Sequence, residues 1–516
     1  MPNASRGLPV EVLSAGEAAA RDAATIAAGV PSRALMQRAA AAAAGEVTRR
    51  YGRRLRDRGA AVFAGTGNNG GDAWALAGAL GRVGVRVRVA TTGTPRTADS
   101  RAEREAALPF VDAAAPDGSE GVAVDGVLGI GATGAPRDAA AEAIRALVAY
   151  RARGARTVAL DLPSGVDATT GATPGEAVVA DLTVTFGSMK RGLLVARAHA
   201  GRIVVVDVGF LAPGEPTPRL ATAAWVRDAL PPIAFDAHKG VRRHVLVVGG
   251  APGMAGAAAL AARAALASGA GIVKLATAPD SLAAVQLLVP EALAAVWPAD
   301  DGAAAGLAHP WPHVLAIGPG LGAGARSLVE RLLLAWRGPV VLDADALNAF
   351  AGDAAALRDL LDGRPALLTP HVAEFARLAG GTPQDALDAR FDAGARLAAA
   401  VGATVLLKGV PTVVSAPNGR RLVTATGTAA LGTGGSGDLL AGIAATLLAQ
   451  TGDPLRAGAA AAWVHGRAAE LATRGRPARG VTLAGVLAAL PAAWRLAAPR
   501  PRVPVLAELP APPAAR

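Results

Sequence analysis

One aspartate late in the chain sits where its residue type and surroundings could do chemistry. Asp438 closes the run GTGGSGD at residues 432–438, and the apolar, helix-forming stretch LLAGIAATLLA follows it. Ahead of a helix, the backbone N–H groups of Gly434, Gly435, Ser436 and Gly437 can converge on one anion, assisted by the positive end of the helix dipole. A carboxylate directly behind such a cradle would repel bound phosphate. It suits proton transfer with a group that is gaining or losing a phosphoryl; the plainer alternative is a helix N-cap, for which Asp is common. Residues 65–72, GTGNNGGD, repeat the pattern with Asp72, and the helix is expected to follow that aspartate. In VVLDADALN, Asp343 and Asp345 are two residues apart, which on an extended strand points both the same way and offers Mg²⁺ a pair of oxygens; capping a helix would equally explain Asp345. Lysine is scarce: of 52 basic residues only Lys190, Lys239, Lys274 and Lys408 are lysine. Arginine is too bulky and forked to replace a compact ammonium, so each is a candidate point charge.

Those loops need a scaffold. Apolar runs of about five residues (AAVFAG, VAVDG, RTVALD, LTVTFG, RIVVVDVG) alternate with helical periods, the signature of a parallel sheet covered on both faces. LAPGEPTPRL, with three prolines at residues 211–220, interrupts the alternation, which then resumes. The fold class is therefore α/β in two domains, 1–212 and 221–496, with a linker at 213–220. A chain of 516 residues exceeds one core, in keeping with that division. Residues 1 to about 50 read as Ala-rich helix, Asn418-Gly419 marks a hairpin turn, and the Pro-rich tail at 497–516 reads as disordered.

Composition removes several function classes. The net charge of +11 invites a nucleic-acid reading, but the arginines are scattered, only RRYGRRLRDR (49–58) is dense, and aromatic residues make up just 3%. No nucleic-acid partner is expected. Apolar stretches are broken before about 18 residues and no signal pattern opens the chain, so a cytoplasmic protein without a membrane partner is expected. The absence of cysteine excludes a disulfide framework, a thiol nucleophile and Cys-ligated zinc. There is no GK[ST], hence no P-loop. GxGxxG occurs at 65–70, 129–134 and 432–437, weak evidence in a chain with 63 glycines. A plain dehydrogenase also needs an acid at the end of the next strand, and only Asp161, after the second match, supplies one.

From about residue 237 onward, HKGVRRHVLVVGG, IGPGLG, VVLDADALNAF, LLTPHVAEFARL, LLKGVPT and GTGGSGDLLAG come in the order and spacing of the carbohydrate kinase-related NAD(P)H-hydrate dehydratases, which have a ribokinase-like α/β fold. Between about 35 and 208, LMQRA, GTGNNGGD, DGVLGIGATG, ALDLPSGVDATTG and TVTFGSMKRGLL resemble the NAD(P)H-hydrate epimerases, a Rossmann-like three-layer α/β/α fold. The chain as a whole resembles the fused, bifunctional repair enzymes of damaged nicotinamide cofactors.

That resemblance implies a substrate, NAD(P)H hydrate, that has added water at C6 of its ring and exists as R and S epimers. In the C-terminal half it implies ADP as phosphoryl donor with Mg²⁺ and Asp438 as the catalytic acid/base. Gly435, Ser436 and Gly437 would form the anion hole, and Lys408, Gly409, Val410, Pro411 and Thr412 would hold the nucleotide. Ala257, Gly322 and His371 would line the hydrate pocket with Asp438, although a His in this position is commonly structural. In the N-terminal half it implies K⁺ bound by Asn69, Asp125 and Ser164. The hydrate would lie against Asn68, Asn69, Gly70, Gly71, Asp72, Gly129, Ile130, Gly131, Ala132, Thr133, Gly134, Ala135 and Asp161. Asp161 is then the proton-transferring group and Lys190 its electrostatic partner, the alternative for Asp161 being a loop cap at a strand end. A homo-oligomer is expected. Three positions depart from the family pattern: Ala73 for glycine, Gln37 for an acid and Met254 for tyrosine. Gln37 in particular puts the epimerase in doubt. The rival readings are a ribokinase-like vitamin or sugar kinase, and an N-terminal half that is only a binding module.

Overall fold

The computed structural model describes residues 10–212, 216–309, 311–496 and 502–512. The chain divides into two compact units, one from Val10–Thr217 together with Pro499–Pro512, the other from Pro218–Ala498.

The first unit contains strands β1 (Val10–Leu13), β2 (Ala60–Ala64), β3 (Val87–Thr91), β4 (Val122–Gly126), β5 (Arg156–Leu160), β6 (Leu182–Phe186), β7 (Met189–Lys190) and β8 (Arg202–Val206). The second contains β9 (Arg219–Leu220), β10 (His244–Val248), β11 (Ile272–Thr277), β12 (Leu293–Val296), β13 (Val314–Ile317), β14 (Val340–Leu342), β15 (Ala366–Leu368), β16 (Thr404–Leu407), β17 (Thr412–Ser415) and β18 (Arg421–Thr424). A last strand, β19 (Val505–Leu509), returns to the first unit.

The sheet of the first unit runs β19-β8-β6-β5-β4-β2-β3, parallel throughout except for antiparallel β19. Helices Ser32–Arg58 and Asn68–Arg82 cover one face and helix Asp138–Ala152 the other, each over its own apolar cluster. The expected three-layer α/β/α arrangement holds. Because β3 and β4 lie on opposite sides of β2, the winding reverses between β2 and β4, and the carboxyl ends there open a crevice. The loops after β2 and β4 meet at it: a Cβ on Gly65 would lie 1.9 Å from Val127 O.

Three expectations need correcting. Residues up to about 50 are not helix throughout, since Val10–Leu13 forms β1, with Leu13 opposite Lys190 of β7. The helix after the first Gly-rich loop starts at Asn68 with Gly67 as N-cap, not beyond Asp72. Glycines are required inside that helix by close approach, because a Cβ on Gly70 would lie 1.9 Å from Gly65 O. Finally, the tail is not disordered over 505–509: β19 pairs with β8 and buries Ala507 and Leu509. Proline content averaged over twenty residues concealed the alternation in VLAEL. Residues 497–501 and 513–516, and 213–215 of the expected linker, lie outside the described residues.

In the second unit the order is β12-β11-β10-β13-β14-β15-β16-β17-β18-β9, parallel from β12 to β16. The hairpin between β17 and β18 is present, with Gly419 at φ 80°. Winding reverses between β10 and β13, and the loops after these strands touch, a Cβ on Gly249 falling 2.1 Å from Pro319 O. Helix Ser436–Thr451 is buried along most of its length, close against helix Ala255–Ala267, with Gly442 facing Ala261 O where no side chain would fit. Among the described residues no helix is long and apolar enough to cross a membrane.

Candidate active sites

Gly435 is the N-cap of helix Ser436–Thr451 at φ 91°, a left-handed turn that any side chain would strain. That turn aims the first helical turn at a cluster of charges. A Cβ on Gly435 would lie 3.7 Å from Asp438 Oδ2, and one on Gly437 would lie 3.3 Å from Lys408 Nζ and 3.6 Å from Asp343 Oδ2. Lys408, just past β16, donates from Nζ to Asp343 Oδ1 at 2.9 Å and lies 3.6 Å from Glu374 Oε2. Thr369 donates to the same Asp343 oxygen at 2.8 Å. Burial disfavours the Lys408 ammonium, but Asp343, Glu374 and Asp438 outweigh it and the pKa ends above its usual value. For Asp438 burial and then Asp343 act together against Lys408, and its pKa is pushed up to about 7. A carboxyl half-ionised at neutral pH is poised as a general base.

Of the amides expected to form the cradle, that of Ser436 donates to Thr433 O (3.1 Å), and its hydroxyl to Leu431 O (2.7 Å). Those of Gly434, Gly435 and Gly437 have no backbone acceptor among the described residues. Thr412 Oγ1 donates to Gly409 O at 2.9 Å, closing a turn that leaves Gly409 and Val410 exposed and Pro411 buried. His371 caps helix Val372–Ala379: Nδ1 accepts from the amides of Ala373 (3.1 Å) and Glu374 (3.4 Å), which places the ring proton on Nε2, 3.4 Å from Glu374 Oε1. It is thus a structural cap whose half-exposed ring also borders the cluster. Asp343 and Asp345 do not point the same way. The strand ends at Leu342 and Ala344 sits at φ 49°, so Asp345 turns off to accept the Gly322 amide at 2.9 Å. Ala257 borders the same loop, since a Cβ on Gly320 would meet its methyl at 2.9 Å.

In the first unit Asp161 follows β5 at φ 64°. Its Oδ1 receives Lys190 Nζ at 2.5 Å, Thr185 Oγ1 at 3.0 Å and Phe186 N at 3.1 Å, leaving Oδ2 without a donor among the described residues. None of these donors is an amide of its own loop, so the loop-cap alternative does not describe it. Lys190, 3% exposed, also donates to Phe186 O at 2.9 Å. Nearby, Asp125 is fully buried. Its Oδ1 receives Ser164 Oγ (2.6 Å) and Val127 N (3.2 Å), and its Oδ2 receives Ser164 N (2.7 Å). Burial pushes its pKa up to about 6 against those hydrogen bonds. Asn69 donates to Leu128 O at 2.9 Å while its buried Oδ1 has no partner. An oxygen-only set with an unfilled acceptor fits a hard cation. The loop from Gly129 through Ile130, Gly131, Ala132, Thr133, Gly134 and Ala135 runs partly exposed over this crevice, starting where a Cβ on Gly129 would meet Asn69 Cβ at 3.1 Å.

Residues 245–491 match the family described as NAD(P)H-hydrate dehydratase, and residues 32–192 the YjeF-related protein N-terminus. The bifunctional NAD(P)H-hydrate repair enzyme of Moorella thermoacetica is 36% identical over 505 residues, covering 90% of this chain and 92% of that protein. Its counterpart from Salinibacter ruber is 37% identical over 509 residues, covering 89% and 91%. This chain belongs to the bifunctional NAD(P)H-hydrate repair enzymes. A crystal structure of an ADP/ATP-dependent NAD(P)H-hydrate dehydratase from Bacillus subtilis, co-crystallised with ATP and Mg²⁺, is 31% identical and covers 53% of this chain and 96% of its own, with a TM-score of 0.47.

In the epimerase half the structure adds a residue that sequence reasoning missed. Asp22, on helix Ala15–Ala27, is raised in pKa by burial and then by Asp161, while Asp72 is driven well above its usual value by burial, Asp161 and Asp22. Asp22 lies 50 residues before Asp72 and 139 before Asp161 in the chain, and no local motif announces it. Gln37 proves compatible with its surroundings: it donates to buried Glu103 Oε1 at 2.8 Å beside Arg33 at 2.7 Å, where an acid would face a like charge. Ala73 is fully buried against Gly126, and Met254 is exposed. In the dehydratase half Thr369 and Glu374 were also missed; Glu374, three residues after the His371 cap, carried a readable capping-box signal. Of the four lysines, Lys190 and Lys408 sit among carboxylates, Lys274 lies 4.5 Å over the Trp311 ring, and Lys239 is exposed.

Proposed function

We propose that the dehydratase half converts S-NAD(P)H hydrate to NAD(P)H with ADP, and that the epimerase half interconverts R and S so that neither form accumulates. The observation that carries this reading is the Asp438 carboxyl, held near pKa 7 between the Gly435 turn and the Lys408 ammonium. Asp438 takes the proton of the C6 hydroxyl as its oxygen attacks the terminal phosphorus of ADP and the bond to AMP breaks. The ring nitrogen's lone pair then expels phosphate from C6, and loss of a C5 proton restores the ring double bond. Free amides at Gly434, Gly435 and Gly437 meet the transferring phosphoryl, and Lys408 neutralises it. Mg²⁺, bound with the nucleotide, would take a protein oxygen from Asp343, whose Oδ2 faces the first helical turn at Gly437, and offset phosphate charge.

In the epimerase half the hydrate is a hemiaminal. Removing the C6 hydroxyl proton lets the C6–N1 bond open to an aldehyde, and reclosure on the other face with return of the proton inverts the centre. Asp161, through the oxygen that Lys190 does not occupy, holds that proton. Potassium would lie among Asn69, Asp125 and Ser164 and supply fixed positive charge toward the anionic cofactor. Asn68, Gly70, Gly71 and Asp72 present the first turn of helix Asn68–Arg82 to the cofactor.

The deciding assay incubates chemically hydrated NADH with ADP and ATP side by side, resolving R, S and NADH chromatographically. Clearance with ADP is expected; activity with neither nucleotide would return the vitamin-kinase reading. Because Asp438 must be ionised to act, the S-clearance rate is expected to rise with pH through about 7 and level off above it. A flat profile between pH 6 and 8, with chemistry rate-limiting, would refute the base assignment.

A cytoplasmic location is part of the same reading, supported by a cysteine-free chain. So is a homo-oligomer: β12 ends its sheet with Leu293 and Val296 exposed and without a charged residue to blunt the edge, and Leu287 and Leu288 lie exposed just before it. Pairing of two copies there would register as a dimer by analytical ultracentrifugation, and Leu293→Lys should reduce it to monomer.

A further inference from the structure

The epimerase sheet is completed by a strand that arrives after the whole dehydratase half. β19 lies antiparallel on β8, with Val505 opposite Val206 and Leu509 opposite Ile203. Charge anchors both ends of the segment. Arg502 donates twice to Glu46, at 3.1 and 3.0 Å, while Glu508 receives Arg502 (2.8 Å), Arg50 (2.9 Å) and Arg202 (2.6 Å). Val505 joins the apolar cluster on that face of the sheet, and without β19 the fully buried residues 203–206 would become an open sheet edge.

The contact leads straight to the reacting carboxylate. Pro504 O accepts the Asp207 amide at 2.7 Å, and the neighbouring Val206 O accepts the Gly187 amide at 2.8 Å. Gly187 follows Phe186, whose amide donates to Asp161 Oδ1 at 3.1 Å and whose carbonyl receives Lys190 Nζ at 2.9 Å. The tail therefore fixes the end of β8, β8 fixes the turn after β6, and that turn sets the Asp161–Lys190 pair.

We infer that residues 502–512 are a positioning element of the epimerase site, so that the C-terminus of the chain controls the activity of its N-terminal half while leaving the dehydratase untouched. β19 and its described ion-pair partners, Glu46, Arg50, Arg202 and Arg502, belong to the first unit. The inference rests on the proposed epimerase role of Asp161.

The test uses the full chain and a protein ending at residue 501, measuring R–S interconversion without nucleotide and S clearance with ADP. Truncation is expected to lower the interconversion kcat at least tenfold, with KM and S clearance within about twofold. A peptide of residues 502–512, RVPVLAELPAP, should restore interconversion saturably. Full-rate interconversion by the truncated protein, equal loss of both activities, or loss that the peptide cannot restore would each overturn the inference. If the truncated protein does not fold, Glu508→Lys, which sets a cation among three arginines, and Glu508→Asp, which keeps the charge, decide it: the first should lose interconversion alone and the second retain it. Equal behaviour of the two sinks the idea. Full-length protein that never interconverts R and S would instead sink the epimerase assignment, a distinguishable failure.

Discussion

Asp438→Ala is expected to abolish ADP-dependent clearance of S-hydrate, lowering kcat by roughly a thousandfold or more, the scale of losing a general base in a phosphoryl-transfer site. R–S interconversion should be unchanged, since Asp438 belongs to the other unit. The stability consequence runs the opposite way. Asp438 is an acid whose folded pKa is raised, by burial first and then by Asp343, so its ionised form is penalised in the fold. That penalty is absent below the unfolded pKa of about 4 and fully present above about 7. Asp438→Asn, which keeps the shape and removes the charge, should therefore raise Tm at pH 8 and leave it almost unchanged at pH 4, on the order of 1–2 kcal/mol at the higher pH. A dead enzyme that is more stable than wild type is the signature of a strained catalytic group. Unchanged turnover in either variant, measured with purified S-hydrate, would remove Asp438 from the mechanism.

Asp161→Asn should leave S-hydrate dehydration intact while R-hydrate persists, interconversion falling about a hundredfold or more. The amide is the sharper choice here. Lys190 is buried and held by Asp161, so Asp161→Ala would leave an uncompensated ammonium in the interior, a loss of about 3–5 kcal/mol that endangers the fold itself. Asn keeps an acceptor for Lys190, Thr185 and the Phe186 amide but cannot hold a proton at the second oxygen. The readout is the R peak after S has been exhausted with ADP. If R is still consumed at the wild-type rate, another group in the cluster performs the transfer, and Asp72 and Asp22, both with raised pKa values, become the candidates.

The two sites differ in how legible they were. Asp438 and Lys408 could be read because each is tied to a local pattern: glycines before a helix start, and a lone lysine in an arginine-rich chain at a strand end. Lys190 is already expected as the electrostatic partner of Asp161 from the resemblance, although 29 residues separate them, and the fold brings them to 2.5 Å. Errors arose where local geometry departs from the regular period. The alternation rule that aligned Asp343 with Asp345 fails because the strand stops one residue early and Ala344 turns left-handed. A glycine pair normally argues against helix, yet Gly70 and Gly71 lie inside one because neighbouring backbone and the Met36 side chain leave no room for side chains. The tail was misread because strand formation there depends on a partner edge three hundred residues earlier and on Arg50, Arg202 and Glu46, none visible in its own composition.

By itself the sequence determined the α/β class, the two-domain division and the order of the loops, since apolar period, glycine placement and scarce lysine are properties of short segments. Tertiary structure alone decided that Asp161 helps raise the pKa of Asp22 and Asp72, that Asp343 and Glu374 hold Lys408, and that residues 505–509 pair with the edge of the first unit's sheet. Burial and charge at a distance cause each of these, and both depend on which surfaces the chain closes against each other.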